Sequence, residues 1–366
     1  MRVIVSVFNN LVTDQRVEKV CRTLHEAGHE IILIGNDWAG APPLERPYKI
    51  LRIRIKSKKL KFAYAEFNLK LFREIVRFKS PGCVLLANDL DTLPANDLAS
   101  KLYKIPLVFD SHEIFTEQPS VQGRFSQKIW RFLEKAIVPG LNYMMTESAS
   151  YAGWFRAKYG ISPVVVRNIP RRIPGRIDFI ENSPKIIIWQ GALNESRGLF
   201  QAISAMKYLD NAILKIAGDG NLRSDYEKHT RKEGLQARVE FLGRLSPEKL
   251  RKFTKIADAG LAVEENNGLS YYYSLPNKVP DYIQSLVPAV LINFPEIKKI
   301  FDRYKIGEMI DNHNPETIAA ALKTILENGR EFYADALREA AREYCWEMEE
   351  EKILELFRKA EMLSNA

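Results

Sequence analysis

The sequence predicts an α/β protein made of two doubly wound parallel-sheet domains in tandem. Three observations predict it. Short β-branched runs alternate with amphipathic helical stretches along most of the chain. The alternation breaks at Arg167-Asn168-Ile169-Pro170-Arg171-Arg172-Ile173-Pro174-Gly175, a Pro- and Gly-punctuated stretch that reads as a linker. A length of 366 residues is long for one domain and comfortable for two.

In the first half the strand-like runs are 3–8, 31–34, 50–55, 84–86, 107–109, 143–146 and 164–166. Val17, Val20, Cys21 and Leu24 recur at offsets of three and four, one face of a helix that Thr13 or Asp14 caps. Residues around 67–78, 127–137 and 151–158 read similarly. After the linker come strands at 186–189, 213–216, 239–242, 260–263 and 289–292, separated by helical stretches around 199–206, 224–233, 248–256, 279–285 and 296–304. From about residue 315 onward the chain is nearly all helix. Two tandem sheets place a cleft between the domains, and open parallel sheets bind ligands at the carboxyl ends of their strands.

Composition narrows the class. Hydrophobic residues are 46% and charged residues 27%, an ordinary globular balance. No apolar run is long enough to span a bilayer, and the start of the chain lacks the pattern of a signal peptide, so a cytoplasmic protein is expected. Cys21, Cys83 and Cys345 are scattered and form neither a disulfide framework nor a metal-ligand spacing. The net charge of +8 is concentrated at Arg52, Arg54, Lys56, Lys58, Lys59 and Lys61, ahead of Phe62, Tyr64, Phe67, Leu69, Leu71 and Phe72. That stretch reads either as a solvated strand edge or as a peripheral contact with anionic lipid. No nucleic-acid recognition motif accompanies the charge.

Five constellations follow predicted strands. The loop Asn9-Asn10-Leu11-Val12-Thr13-Asp14-Gln15-Arg16 opens a helix, and serves either a ligand or a cap with an Asp14/Arg16 surface pair. Asp110-Ser111-His112-Glu113 sets a His among carboxylates, as an acid–base or contact group or as a structural His. In the loop from Gly191 to Gly198, Arg197 beside a helix start suits phosphate oxygens. Gly218-Asp219-Gly220 is a glycine turn that lets backbone approach a ligand. Leu275-Pro276-Asn277-Lys278 leads into a helix, where a cation opposes the helix dipole and calls for a compensating anion. Asp281, three residues on, either pairs with Lys278 at the surface or takes the hydroxyls of a ribose. Asp89-Leu90-Asp91 has the form of a metal-binding triplet; it is read instead as a loop and helix cap, and no metal is expected.

In this order and spacing the chain resembles the family 4 retaining glycosyltransferases of the GT-B fold, with its two Rossmann-like domains. The matching elements are Asp14-Gln15-Arg16-Val17, Gly28-His29-Glu30, Asp110-Ser111-His112-Glu113, Ser196-Arg197-Gly198, Ala217-Gly218-Asp219-Gly220, Phe241-Leu242-Gly243, Ala257-Asp258-Ala259-Gly260 and Ser274-Leu275-Pro276-Asn277-Lys278. The resemblance implies an acceptor domain at 1–170, a donor domain at 184–340, and a terminal helix at 341–366 that returns to the first domain with Trp346, Ile353, Leu354 and Leu356 as its packing face. It implies a UDP- or GDP-sugar donor, a glycan or lipid-linked acceptor and no cofactor. Arg197 and Lys278 would neutralise the diphosphate, Asp281 would hold the ribose, and Leu275, Pro276 and Asn277 would contact the pyrophosphate and sugar. Gly191, Gly218 and Asp219 belong to the same donor site. His112 would touch the donor sugar, with Asn9, Asn10, Asp14 and Glu113 on the acceptor side. Two departures stand out: Ala192 replaces a common arginine, and the usual pair of glutamates is Tyr273 and Asp281. A nucleotide-sugar 2-epimerase, and a weakened binding protein of the same fold, are the alternatives.

Overall fold

The computed structural model describes residues 1–12, 14–37, 42–119 and 121–364, with side chains of the last helix described to residue 362. The cap expected of Thr13 therefore lies outside the described residues. The chain divides into two compact units. One comprises Met1–Asn168 together with the chain from Glu349 on, and the other is Ile169–Met348.

In the first unit the order is β1 (Arg2–Ser6), α1 (Gln15–Glu26), β2 (Glu30–Asn36), β3 (Lys49–Ile53), α2 (Leu60–Phe78), β4 (Val84–Asn88), α3 (Leu93–Tyr103), β5 (Leu107–Ser111), α4 (Phe125–Ile137), β6 (Tyr143–Thr146), α5 (Ala149–Tyr159) and β7 (Val164–Val165). The seven strands form one parallel sheet, ordered β3-β2-β1-β4-β5-β6-β7. Strand order reverses between β1 and β4, so the loops after those strands flank a topological switch point, where such sheets bind ligands. The central strands are apolar runs because helices cover both faces.

The second unit contains β8 (Lys185–Gln190), α6 (Leu199–Ala205), β9 (Ala212–Ala217), α7 (Arg223–Lys232), β10 (Val239–Gly243), α8 (Pro247–Ile256), β11 (Ala259–Ala262), α9 (Leu269–Tyr272), α10 (Lys278–Gln284), β12 (Ala289–Ile292), α11 (Pro295–Tyr304), β13 (Gly307–Ile310) and α12 (Pro315–Glu343). Its six parallel strands run β10-β9-β8-β11-β12-β13, with the switch point between β8 and β11. The linker segment 167–175 contains neither helix nor strand. The last helix, α13 (Glu347–Ser364), buries Ile353, Leu356, Phe357 and Ala360. Its Glu349 receives Arg167 at 2.7 and 2.6 Å, within the first unit. Leu354 is only half-buried, and Trp346 precedes α13 and belongs to the second unit, where its N–H donates to Pro170.

Three elements depart from the pattern read in the sequence, the four-residue helix α9 being one. Strand β13 is a sixth strand whose Gly-Glu-Met-Ile sequence lacks β-branched residues except at its end. Helix α3 opens Leu-Pro-Ala-Asn-Asp, where breakers hide the periodicity, yet Pro94 sits in the first turn, where its missing N–H costs nothing.

Candidate functional site

At the switch point of the first unit, charged side chains from three elements interlock. Arg16 enters from α1, Asp110 from β5, and His112 from the turn that follows β5. Arg16 donates through Nε and Nη2 to the two oxygens of Asp110, at 2.9 and 2.6 Å, and through Nη1 to the Val166 carbonyl at 2.6 Å. His112 Nε2 lies 3.3 Å from Asp110 Oδ2 and 3.1 Å from Asn88 Oδ1, while Nδ1 faces Asp89 Oδ2 at 3.2 Å. The His112 N–H donates to Asp89 Oδ1 at 3.0 Å.

Burial works against the imidazolium, but Asp89 and then Asp110 outweigh it and raise the His112 pKa to about 10. Burial also works against the Asp110 carboxylate, and Arg16 and His112 overcome it, bringing that group to about 2. Glu147, adjacent to this cluster, is pushed up to about 7 by burial. Burial and then Asp89 raise Asp91 well above the usual carboxylate range.

Two sequence readings are corrected here. Arg16 is not half of a surface pair with Asp14: it is 2% exposed and bound to Asp110. Asp89 and Asp91 cap no helix, because Asp89 clasps His112 and Thr92 occupies the cap position of α3. Asp14 does cap α1, accepting from Val17 N at 3.0 Å. Asn9 donates to Asp14 at 2.6 Å and accepts from Leu11 N, and Asn10 accepts from Val12 N, so this loop is organised by its own side chains. Glu113 is half-buried, and its carbonyl accepts from Ser111. Among the described residues no group of three His, Cys, Asp or Glu side chains is placed to hold a metal ion.

The second unit assembles a different cluster at its own switch point. Lys278, the first residue of α10, is 6% exposed. Its Nζ sits 4.1 Å above the Trp189 ring of β8 and 2.6 Å from Glu264 Oε1, just past β11. Burial lowers the Lys278 pKa, Glu264 opposes that shift, and the charge of Arg197 adds to it. The Arg197 guanidinium lies 5.1 Å from the Tyr271 ring centroid, just ahead of α10.

This corner holds three buried polar atoms with no hydrogen-bond partner in the chain, Trp189 Nε1, Arg197 Nε and Gln201 Oε1, beside the Lys278–Glu264 ion pair. Such atoms cost about 1–3 kcal/mol each when left unsatisfied. Their concentration in one place marks a surface shaped to be completed by a polar ligand.

Glycines bring the loops here close together. A Cβ on Gly218 would meet the Gly191 carbonyl oxygen at 1.8 Å, and one on Gly198 would meet that of Val263 at 1.9 Å. Asp219 is exposed and accepts from the N–H of Gly220 at 2.9 Å. Asp281 accepts from Gln190 at 2.8 Å, so the Lys278–Asp281 surface pair does not form. Leu275 is buried, Pro276 half-buried and Asn277 exposed. The anion that Lys278 calls for is Glu264, which the sequence reading missed. The signal was there: Glu264 stands immediately past a strand's carboxyl end, the rule that singled out the other candidates.

Two parallel sheets, each with polar residues gathered at its switch point, define a protein of two Rossmann-like domains. Comparison with known proteins makes that specific. Residues 14–173 match the model of Glycosyltransferase Family 4, and residues 176–344 match that of Glycosyl transferases group 1. The chain belongs to the GT-B glycosyltransferases of family 4 and is a transferase. An uncharacterized glycosyltransferase of Methanocaldococcus jannaschii is 26% identical over 174 residues, a match spanning 46% of this chain and 43% of that protein. Among solved structures, sucrose-phosphate synthase from Thermosynechococcus elongatus has a TM-score of 0.80 at 14% identity, covering 98% of both chains. HepE of Anabaena, in complex with UDP and glucose, has a TM-score of 0.75 at 14% identity, covering 98% of this chain and 100% of that one.

Proposed function

We propose that this enzyme transfers a sugar, with retention of configuration, from a nucleoside-diphosphate sugar to a glycan or lipid-linked acceptor in surface polysaccharide or glycolipid synthesis. One observation carries the reading: the unsatisfied cluster around Lys278 and Arg197. A diphosphate supplies what that cluster lacks, namely an oxygen for Arg197 Nε, and offers Lys278 Nζ further acceptors beside Glu264. As the glycosidic bond breaks, negative charge grows on the departing diphosphate, and fixed cations stabilise it most in a dry setting. Two cations at this point perform that role without a metal ion.

Asp281, on the first turn of α10, is the ribose-binding carboxylate, fixed in orientation by Gln190. The backbone of Leu275, Pro276 and Asn277, with Gly191, Gly218 and Asp219, lines the donor site. In the first unit, His112, held charged by Asp89 and Asp110, is the residue assigned to the donor sugar, and Asn9, Asn10, Asp14 and Glu113 are assigned to the acceptor. The HepE complex with UDP and glucose supports the donor class.

The test is a thermal-shift panel of UDP-, GDP- and ADP-sugars on wild type and Lys278→Ala. One nucleotide class should raise the melting temperature, and the substitution should remove most of the rise. An unchanged shift in the variant would take Lys278 out of the donor site.

A further inference from the structure

Helix α4 is built inside out. Its buried face carries Gln127, Glu134 and Ile137, two of them polar. Its outward face carries Phe125, Ile129 and Phe132, which are 76%, 50% and 71% exposed. At 100° per residue these three side chains fall within about 60° of arc, a single stripe running along the helix. Soluble proteins rarely expose large apolar side chains in so ordered a row without a use for them.

Charge says what the stripe meets. On the same helical projection Arg124, Lys128, Arg131 and Lys135 form one row along its flank, and all four are exposed. The one acid in α4, Glu134, points inward and is taken by Thr116, Lys158 and Tyr159. Arg131 pairs with Glu117 at 3.0 Å, which leaves Arg124, Lys128 and Lys135 as the row's outward charges. An apolar stripe edged by bases on a helix lying flat is the form that suits the boundary of an anionic bilayer.

The basic stretch at 52–61 leads into α2, which packs on the inner side of α4. Tyr64 of α2 and Trp130 of α4 stack edge-on with centroids 5.1 Å apart, and Lys58, Lys59, Lys61 and Phe62 stand exposed at the start of α2. The aromatic and aliphatic residues that follow are divided: Phe67 and Leu71 belong to the core, while Leu69 is exposed. Among the described residues no helix is long and apolar enough to cross a membrane, so contact of this kind is in-plane.

We propose that the outward face of α4 docks on an anionic lipid membrane. The proposal does not depend on the donor-site reading. The test is co-sedimentation of the full chain with vesicles of phosphatidylglycerol and phosphatidylcholine in equal parts, and with phosphatidylcholine alone. Partitioning should be at least tenfold stronger onto the anionic vesicles and weaken in high salt. Phe125→Ser/Phe132→Ser should lower it at least tenfold. Lys128→Glu/Lys135→Glu, which touches only exposed side chains and keeps the fold, should abolish the preference for anionic lipid.

Absence of vesicle binding, equal binding to both compositions, or wild-type binding by the charge-reversed variant would each overturn the proposal. So would a dimer in light scattering that the serine variant dissociates while vesicle binding stays unchanged, because the stripe would then be a contact between copies.

Discussion

The two switch points carry comparable charge and treat it in opposite ways. In the first unit, Arg16, Asp110, His112 and Asp89 satisfy one another with paired hydrogen bonds and short ion contacts. In the second, Lys278 and Glu264 meet through one ion contact, and polar atoms of Trp189, Arg197 and Gln201 lack partners altogether. A buried network that closes on itself stiffens a fold and costs little to keep. One that stays open costs stability and is explained by a ligand that completes it. The difference teaches where to look for binding: among buried charges the chain has not paired off, rather than where charges are most numerous.

The comparison can be broken at its strongest point first. Arg16→Ala strips Asp110 of its bidentate partner and leaves a buried carboxylate, a change that costs about 3–5 kcal/mol. Thermal unfolding should show a loss of about 10 °C or more. A loss near zero would mean that the first cluster is not a closed structural network.

Next in size is Lys278→Ala. Removing a cation from a buried phosphate site weakens binding by about 2–5 kcal/mol, so UDP affinity should fall roughly a hundredfold in a titration. Stability should drop as well, because Glu264 is left as a buried carboxylate without its cation. Unchanged UDP affinity in the folded variant would reverse the assignment of the two clusters.

The first cluster also sets a pH dependence. His112 has an ordinary pKa of 6.5 that folding raises to about 10. Its contribution to stability is complete below pH 6.5 and drains away as pH climbs through 10. Glu147 acts in the same sense lower down, since its raised value of about 7 favours the fold most in acid. The melting temperature should fall by about 3–6 °C between pH 6.5 and 10, and His112→Gln should flatten that slope. A rise over this window would contradict a charged His112.

The smallest effect is expected at Glu264. Its carboxylate competes with phosphate for Lys278. Glu264→Gln should therefore tighten UDP binding by about threefold to tenfold, read in the same titration. Weaker binding would show that Glu264 supports the ligand instead of opposing it.

Much of this was legible in the amino-acid order. Strand–helix alternation announces two parallel sheets because covered strands need apolar β-branched runs, and the turn residues between 167 and 175 announce the break. The exceptions have local causes, such as the weak strand propensity of Gly307 to Met309 and the breakers Pro94, Asn96 and Asp97 at the start of α3. Cluster membership was less legible. Arg16 meets an acid ninety-four positions away, and Lys278 one fourteen positions back, and neither distance is a helical or strand period. The α4 stripe was hidden for another reason: a periodic apolar face normally points to the core, and only the fold shows that Gln127 and Glu134 took the inside.

Calorimetric titration of the nucleoside diphosphate that the thermal-shift panel selects, against its own nucleoside, tests most directly whether the open cluster is a diphosphate site. Wild type should bind the diphosphate at least a hundredfold tighter than the nucleoside, and Lys278→Ala should bring the two ligands close together. Equal affinity for the two in wild type, or a preference for the diphosphate that survives the substitution intact, would contradict it.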